Sequence, residues 1–283
     1  MGEPAAPGAE ATEQHWTDHQ RLVRVAERRS QDVVDACHRV GLKPGDRAID
    51  VGCGPLGALP ELAEIVGPSG AVLGLDANAS ALEQAQRTIS QLGFGNVTLA
   101  ASDINTAAVD SLCPPGPFDL AFCRLFLMHQ TDPAATLRKI ATLLRPGGHV
   151  VAQELLDDPR FPTFDPPVPA TERVLTLGFE LMRRTGRSPD AARRLSEICD
   201  EAGLKLVSQR GFFPIVDPYE TLEHVRDMLV ERRRALLSHG LTTRDELASL
   251  LESIQNAKKT QFRSHVYALS IEMVAQKPSQ VHG

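Results

Sequence analysis

Short apolar runs alternate with amphipathic stretches between residues 41 and 155. Several runs end in glycines or an acid, as in RAIDVGCG and AVLGLDA, which is typical of a buried strand followed by a turn. The stretches between the runs carry apolar residues at helical spacing, and Asp132 followed by Pro133 marks one helix start. Strands that alternate with helices predict an α/β fold with a mostly parallel sheet covered by helices on both faces.

The segments outside this region have other patterns. A proline-rich segment after residue 155 leads into predicted helices at about 170–185 and 191–202, and residues 218–258 predict two more. The expected organisation is a disordered tail (1–14), an N-terminal lid helix (15–40), a core (41–155), a helical insertion (156–190), a core helix and strand (191–217), a second helical insertion (218–260), and a last strand with its tail (261–283).

The composition narrows the class of protein. The chain has 283 residues, 42% of them hydrophobic and 23% charged, which is enough apolar side chain for a sizeable core. Its net charge of −6 argues against nucleic acid or an anionic membrane as a partner. No basic segment followed by an apolar one opens the chain, and five scattered cysteines predict neither a disulfide framework nor a metal site. We therefore expect a cytoplasmic protein.

A glycine-rich turn directly follows the first predicted strand. In DVGCGPLG, residues 50–57, the glycines would let a ligand approach the backbone at the carboxyl end of a parallel strand. Nicotinamide, flavin and other nucleotide-binding folds carry similar turns, and a turn used only for packing has the same pattern. The turn by itself therefore leaves these alternatives open.

Acids end the next two predicted strands. Asp76 lies 24 residues after Gly52, where a carboxylate can accept hydrogen bonds from both hydroxyls of a ribose. Asp103 ends the third strand and could accept a hydrogen bond from an adenine amino group, with Ile104 packing on the ring. Each acid alone could be a turn or cap residue, but acids at successive strand ends favour an adenosine-containing cofactor.

Five segments of the chain carry a family resemblance, namely AIDVGCGPLG, VLGLDAN, ASDI, FDLAFCRLFLMH and LLRPGGHVVAQE. With them the sequence resembles the class I S-adenosylmethionine-dependent methyltransferases, and within these the small-molecule type of ubiquinone, menaquinone and natural-product pathways. LRPGG before the fifth strand is the most discriminating piece. The resemblance covers roughly residues 20–215 and implies a Rossmann-like, seven-stranded sheet that binds S-adenosylmethionine.

The resemblance also implies roles for individual residues. The cofactor would contact Asp50, Gly52, Cys53 and Gly54 at its amino acid end, Asp76 and Ala77 at its ribose, Asp103 and Ile104 at its adenine, and Arg124 at its methionine carboxylate. A solvated loop arginine is the alternative for Arg124. The chain departs from the family pattern at Leu56, which occupies the usual place of a third glycine, since the glycine follows one position later at Gly57.

The chemistry expected of such an enzyme is mainly alignment of a nucleophile with an electrophilic methyl group. A general base is needed only if the acceptor must lose a proton, and His129, after the fourth strand, is the candidate. The alternative is that His129 caps the helix beginning near Asp132. We expect Glu154 to face the same pocket, and Trp16 and His19 to contact the acceptor from the lid helix.

Two motifs that the sequence lacks narrow the class of methyl acceptor. The loop after the fourth strand lacks the Asn/Asp-Pro-Pro-Tyr-like pattern of DNA amino-methyltransferases. The sequence also lacks a basic, aromatic-laced stripe of the kind that binds single-stranded nucleic acid. The amphipathic insertions would enclose a small apolar substrate or form a homodimer face. We expect methyl transfer to a small molecule in bacterial secondary metabolism. The alternatives are a cofactor-binding protein that catalyses another step such as cyclisation, or only regulates, and a nicotinamide-dependent oxidoreductase.

Overall fold

The computed structural model describes residues 23, 30–108, 116–213, 217–266 and 269–279. The strands in this part of the chain are β1 Arg47–Val51, β2 Ala71–Asp76, β3 Val97–Ala101, β4 Phe118–Arg124, β5 Leu144–Leu155, β6 Thr163–Asp165, β7 Lys205–Phe212, β8 Ser264–Val266 and β9 Ser270–Gln276. The helices are α1 Ser30–Arg39, α2 Leu59–Val66, α3 Ala79–Leu92, α4 Pro133–Leu143, α5 Pro169–Arg184, α6 Leu195–Glu201, α7 Pro218–Ser238 and α8 Arg244–Ala257, with 3₁₀ turns at Leu127–His129 and Pro189–Arg194.

The main sheet has seven strands in the order β3-β2-β1-β4-β5-β9-β7. β1 pairs in parallel with both β2 and β4, and β9 runs antiparallel to both β5 and β7. The predicted mostly parallel, Rossmann-like seven-stranded sheet is therefore confirmed. The strand order reverses at β1, and in open α/β sheets a ligand binds beyond the carboxyl ends of the strands at such a switch point.

The chain forms two compact units. One comprises Met1–Phe122 with Leu143–Arg145, and the other Cys123–Thr142 with Pro146–Gly283. Among the helices within the described ranges, none is both long and apolar enough to cross a membrane.

A charged cluster at the amino ends of the strands closes the first unit. Asp119, near the start of β4, accepts a hydrogen bond from Arg145 Nε at 2.5 Å and another from the Arg47 amide at 2.8 Å. Burial alone would raise the pKa of Asp119, but these hydrogen bonds outweigh it and lower the pKa below its ordinary value. Arg145 belongs to the LRPGG segment. The most discriminating sequence motif therefore has a structural role, at the edge of the sheet away from the glycine turn.

The helices of the two predicted insertions pack against one another in the second unit. A shared hydrophobic core joins α5, α7 and α8, and its largest members include Phe164, Leu177, Leu222, Leu229 and Ile254. The residues of this core cover one another, and the predicted enclosure of an acceptor or formation of a dimer face stays a prediction for the rest of the helix surfaces. Sequence reasoning did not identify these partners, because amphipathicity shows that a face is buried but does not show against what.

A second, two-stranded sheet lies beside this helical core. β6, inside the proline-rich segment, pairs antiparallel with β8, so Phe164 lies opposite His265. The two rings stack with their centroids 4.5 Å apart. The sequence predicts a loop at β6 and one continuous closing strand, whereas the structure divides that closing segment between two sheets, as β8 and β9.

Candidate functional site

The glycine turn follows β1 and is hydrogen-bonded to β2 at its first residues. The amides of Gly52 and Cys53 both donate to the carbonyl oxygen of Leu75, at 2.7 and 3.2 Å. Gly52 and Gly54 have φ values of 75° and 57°, in the left-handed region that favours glycine. At Gly54 a Cβ would meet nothing within 4 Å, so the turn has open space beside it there.

Asp50 holds the end of this turn. The residue is only 2% exposed, and its Oδ2 accepts a hydrogen bond from the amide of Ala58, the residue immediately before α2, at 2.7 Å. A Cβ on Gly57 would overlap that carboxylate and lie 2.7 Å from the Cys53 carbonyl oxygen. Gly57, with φ of 60°, is therefore required by sterics, while Leu56 is buried in the core. The displaced third glycine thus has a physical reason.

Asp76 connects the glycine turn to the start of α3. Its Oδ2 accepts a hydrogen bond from the Gly54 amide at 2.8 Å, and its Oδ1 accepts one from the Asn78 amide at 2.7 Å. The side chain is half-buried, and each carboxylate oxygen can accept more than one hydrogen bond. Asp76 is therefore fixed in position and retains capacity for a ligand hydroxyl. Ala77, the next residue, is exposed.

Asp103 and Ile104 follow β3 and face different environments. Asp103 is exposed, and its Oδ1 accepts hydrogen bonds from the Asn105 amide at 2.9 Å and the Asn105 side chain at 3.1 Å. Ile104 is 2% exposed, so its side chain packs inside the protein. The Ser102 amide donates to the Asp76 carbonyl oxygen at 3.0 Å, which brings this loop beside Asp76.

Cys53 is buried between two acids of this site. Burial, together with the negative charges of Asp50 and Asp76, raises the pKa of its thiol well above the ordinary value. The thiol therefore stays protonated at neutral pH. It packs as a small apolar side chain and is unsuited to act as a nucleophile.

In the second unit, the turn at residues 125–129 carries the other predicted residues. Arg124 ends β4 and is half-buried. Leu125 has a φ of 52°, and in the described part of the chain no other non-glycine residue has a positive φ. Sequence reasoning missed this strained position because leucine gives no signal for a left-handed conformation.

Glu154 lies beneath this turn, in a place that differs from the prediction. Its side chain is fully buried, and its oxygens accept hydrogen bonds from the amides of Phe126 at 2.9 Å, Leu127 at 2.7 Å and Met128 at 3.3 Å. A carboxylate engaged in this way has no exposed surface to offer a substrate. The sequence places Glu154 facing the acceptor pocket, whereas the contacts described for its carboxylate are with backbone amides.

His129 ends the turn and is exposed. Its amide donates to the Phe126 carbonyl oxygen at 3.0 Å. The following helix, α4, is capped by Asp132, whose Oδ1 accepts a hydrogen bond from the Ala135 amide at 2.9 Å. The cap position is thus filled by Asp132, as its sequence signal indicates, and the alternative role for His129 is not needed. Trp16 and His19, predicted to contact the acceptor, lie outside the described residues.

Comparisons with known proteins agree with this arrangement. A family pattern described as a methyltransferase domain matches residues 42–170. The ubiquinone biosynthesis O-methyltransferase of Acinetobacter baylyi is 30% identical over 178 residues, which is 62% of this chain and 69% of that protein. The demethylmenaquinone methyltransferase of Anoxybacillus flavithermus is 32% identical over 120 residues, which is 42% of this chain and 49% of that protein.

The matches are partial in length. Alignments with the first three curated relatives span 31, 49 and 59% of those proteins. Among solved structures, the [4+2]-cyclase SpnF has the same fold, with a TM-score of 0.52 and 19% identity, over 89% of this chain and 82% of that chain. The fold is therefore shared by proteins named for different reactions.

Proposed function

Because this chain belongs to the class I S-adenosylmethionine-dependent methyltransferases, we propose that it methylates a small, largely apolar molecule on oxygen, nitrogen or carbon, in bacterial secondary metabolism. Its cofactor is S-adenosylmethionine, which supplies an electrophilic methyl group when bound. The observation that carries the proposal is the position of Asp76, which ends β2 and is fixed to the glycine turn at Gly54.

The residues of the first unit fit that cofactor. Asp76 retains lone pairs for ribose hydroxyls, and the open space beside Gly54 leaves room for a ligand close to the backbone. In this proposal Gly52, Cys53 and Gly54 line the amino acid end, and Ala77 lies beside the ribose. Asp50 acts indirectly, because its carboxylate is engaged in holding the turn at Ala58.

The adenine contacts proposed for the loop after β3 have different supports. The exposed Asp103 carboxylate has one oxygen engaged by Asn105 and can accept a further hydrogen bond from an adenine amino group. Ile104 supports the loop from inside the protein instead of presenting its side chain at the surface. Arg124 remains proposed as the partner of the methionine carboxylate, on the strength of its place at the end of β4.

His129 is proposed as the general base for a hydroxyl acceptor. Its side chain is exposed, and the helix cap that would otherwise explain it is provided by Asp132. A neutral imidazole can accept the hydroxyl proton while the oxygen attacks the methyl group. Trp16 and His19 stay proposed acceptor contacts, a homodimer stays a proposed assembly, and the cytoplasm stays the proposed location.

The test separates binding from methyl transfer. Calorimetry should detect binding of S-adenosylmethionine and S-adenosylhomocysteine, and the labelled methyl group should move to an acceptor in a panel of phenols, amines and activated-carbon compounds. A matched pair of variants, Asp76→Asn and Asp46→Asn, distinguishes the proposed ribose contact from a partly buried acid that is paired with Lys43. Unchanged cofactor affinity in Asp76→Asn would remove Asp76 from the site.

A second candidate function is a cofactor-bound step other than methylation, such as a cyclisation. The fold shared with the cyclase SpnF is the observation that favours it. Tight cofactor binding together with no labelled product from any acceptor would favour this candidate over methyl transfer.

A further inference from the structure

We propose that Glu154 is a positioning residue that sets the conformation of the turn at residues 125–129 and so presents His129 for the reaction. The inference rests on the proposed function of His129. It assigns Glu154 to the backbone of the turn, where it accepts the hydrogen bonds of three amides, and away from any contact with the acceptor.

The contacts of Glu154 form an unusual cluster. Three successive amides, those of Phe126, Leu127 and Met128, all point to one carboxylate. Both oxygens of Glu154 accept, which is the hydrogen-bonding pattern of the ionised side chain. Burying a carboxylate without hydrogen-bond partners is unfavourable in free energy. The carboxylate therefore holds these three amides in the positions from which they can donate to it.

The turn is also fastened at its two ends. The Leu125 amide donates to the carbonyl oxygen of Gln153 at 2.8 Å, so the residue before Glu154 holds the strained residue of the turn. The Ser188 amide donates to the Met128 carbonyl oxygen at 3.1 Å. A left-handed leucine persists only where its surroundings determine its conformation, and here β5 supplies those surroundings.

The same turn carries His129 on its other side. The Phe126 carbonyl oxygen accepts hydrogen bonds from the His129 amide at 3.0 Å and from Gln130 Nε2 at 3.2 Å. The peptide groups whose amides bind Glu154 therefore place the backbone of His129. A shift of these amides would move His129 as well, and small displacements of a catalytic group lower the rate strongly.

The test uses Glu154→Gln, which keeps the size of the side chain. One amide oxygen can still accept from Phe126 and Leu127, but the NH₂ group then faces the Met128 amide, which is also a donor. The matched control is Glu272→Gln on β9. Glu272 is equally buried, and it accepts hydrogen bonds from the side chains of Gln153 and Arg210, each at 2.8 Å, whereas Gln153 contacts the turn through its main-chain carbonyl oxygen.

We expect Glu154→Gln to speed amide hydrogen exchange at residues 126–128 and to lower kcat by about 10- to 100-fold, with the KM for S-adenosylmethionine within about twofold. Glu272→Gln should leave both readouts unchanged. In a His129→Ala background, Glu154→Gln should cause no further loss of kcat, because the two residues act as one unit.

Other outcomes overturn the inference. Wild-type kcat in folded Glu154→Gln would show that Glu154 only stabilises the fold, and a full further loss in the His129→Ala background would show that it acts through another residue. If the wild-type protein binds the cofactor but methylates no acceptor of the panel, the proposed function fails. The exchange measurement then decides the inference alone, since exchange at 126–128 equal to that of Glu272→Gln contradicts it.

Discussion

Replacing each of two glycines in the same turn by alanine should have different effects on stability and on cofactor affinity. Gly54 and Gly57 have nearly equal φ values, 57° and 60°, so alanine is strained at both by a similar amount. That strain costs about 1–2 kcal/mol for a residue with a Cβ. The surroundings differ, because a Cβ at Gly54 meets nothing within 4 Å, whereas one at Gly57 overlaps the buried Asp50 carboxylate.

The magnitudes follow from that difference. Gly54→Ala should lower the free energy of unfolding by about 1–2 kcal/mol from backbone strain alone. Gly57→Ala adds overpacking against Asp50 and the Cys53 carbonyl, worth about 1–3 kcal/mol more, so about 2–5 kcal/mol in total. For cofactor affinity we expect the opposite order. Gly54→Ala should bind the cofactor more weakly than Gly57→Ala does, because its added methyl group enters the open space proposed for the cofactor.

The assay combines urea unfolding, followed by circular dichroism, with calorimetry of S-adenosylhomocysteine binding to each folded variant. The expected pattern is a crossed one: Gly57→Ala loses more stability, and Gly54→Ala loses more affinity relative to its stability loss. Equal destabilisation by the two substitutions would refute the steric argument for the displaced glycine. Wild-type affinity in Gly54→Ala would refute the placement of the cofactor beside that residue.

Three further predictions concern single side chains. Asp76→Asn removes a charged acceptor and should weaken S-adenosylmethionine binding by about 1.5–3 kcal/mol in calorimetry. His129→Ala should lower kcat for a hydroxyl acceptor by about 10²–10⁴-fold with near wild-type cofactor affinity, and an unchanged rate in the folded variant would exclude a general base there. Burial lowers the pKa of His265 below 6.5, against the opposing effects of its hydrogen bond to the Thr163 carbonyl and the charge of Asp217. The unfolded chain therefore binds the proton more tightly, so His265 contributes stability that is present above pH 6.5 and lost as pH falls through the folded-state pKa. His265→Gln should flatten the fall in urea midpoint between pH 7.5 and 5.5, and an identical fall in both proteins would contradict this.

Local features of the chain could be read from the sequence. The alternation of apolar runs with helical spacing determines the α/β class, and the sequence shows the acid that ends β2, Asp76, and the acid that follows β3, Asp103. Helix ends followed from nearby side chains, as at Asp132, because a cap bonds to amides within its own turn. Each of these features depends on residues close together in sequence. The hydrophobic pattern and the cap and turn residues are therefore enough to predict them.

Other features depended on which strand lies beside which. Glu154 is 26 to 28 residues from the amides it binds, and no local pattern states that these amides are its partners. The arginine of LRPGG pairs with Asp119, and the apolar faces of α5, α7 and α8 cover one another. Sequence alone shows that a carboxylate or an apolar face will be buried, but only the tertiary structure decides its partner, because burial is satisfied by contacts distant along the chain.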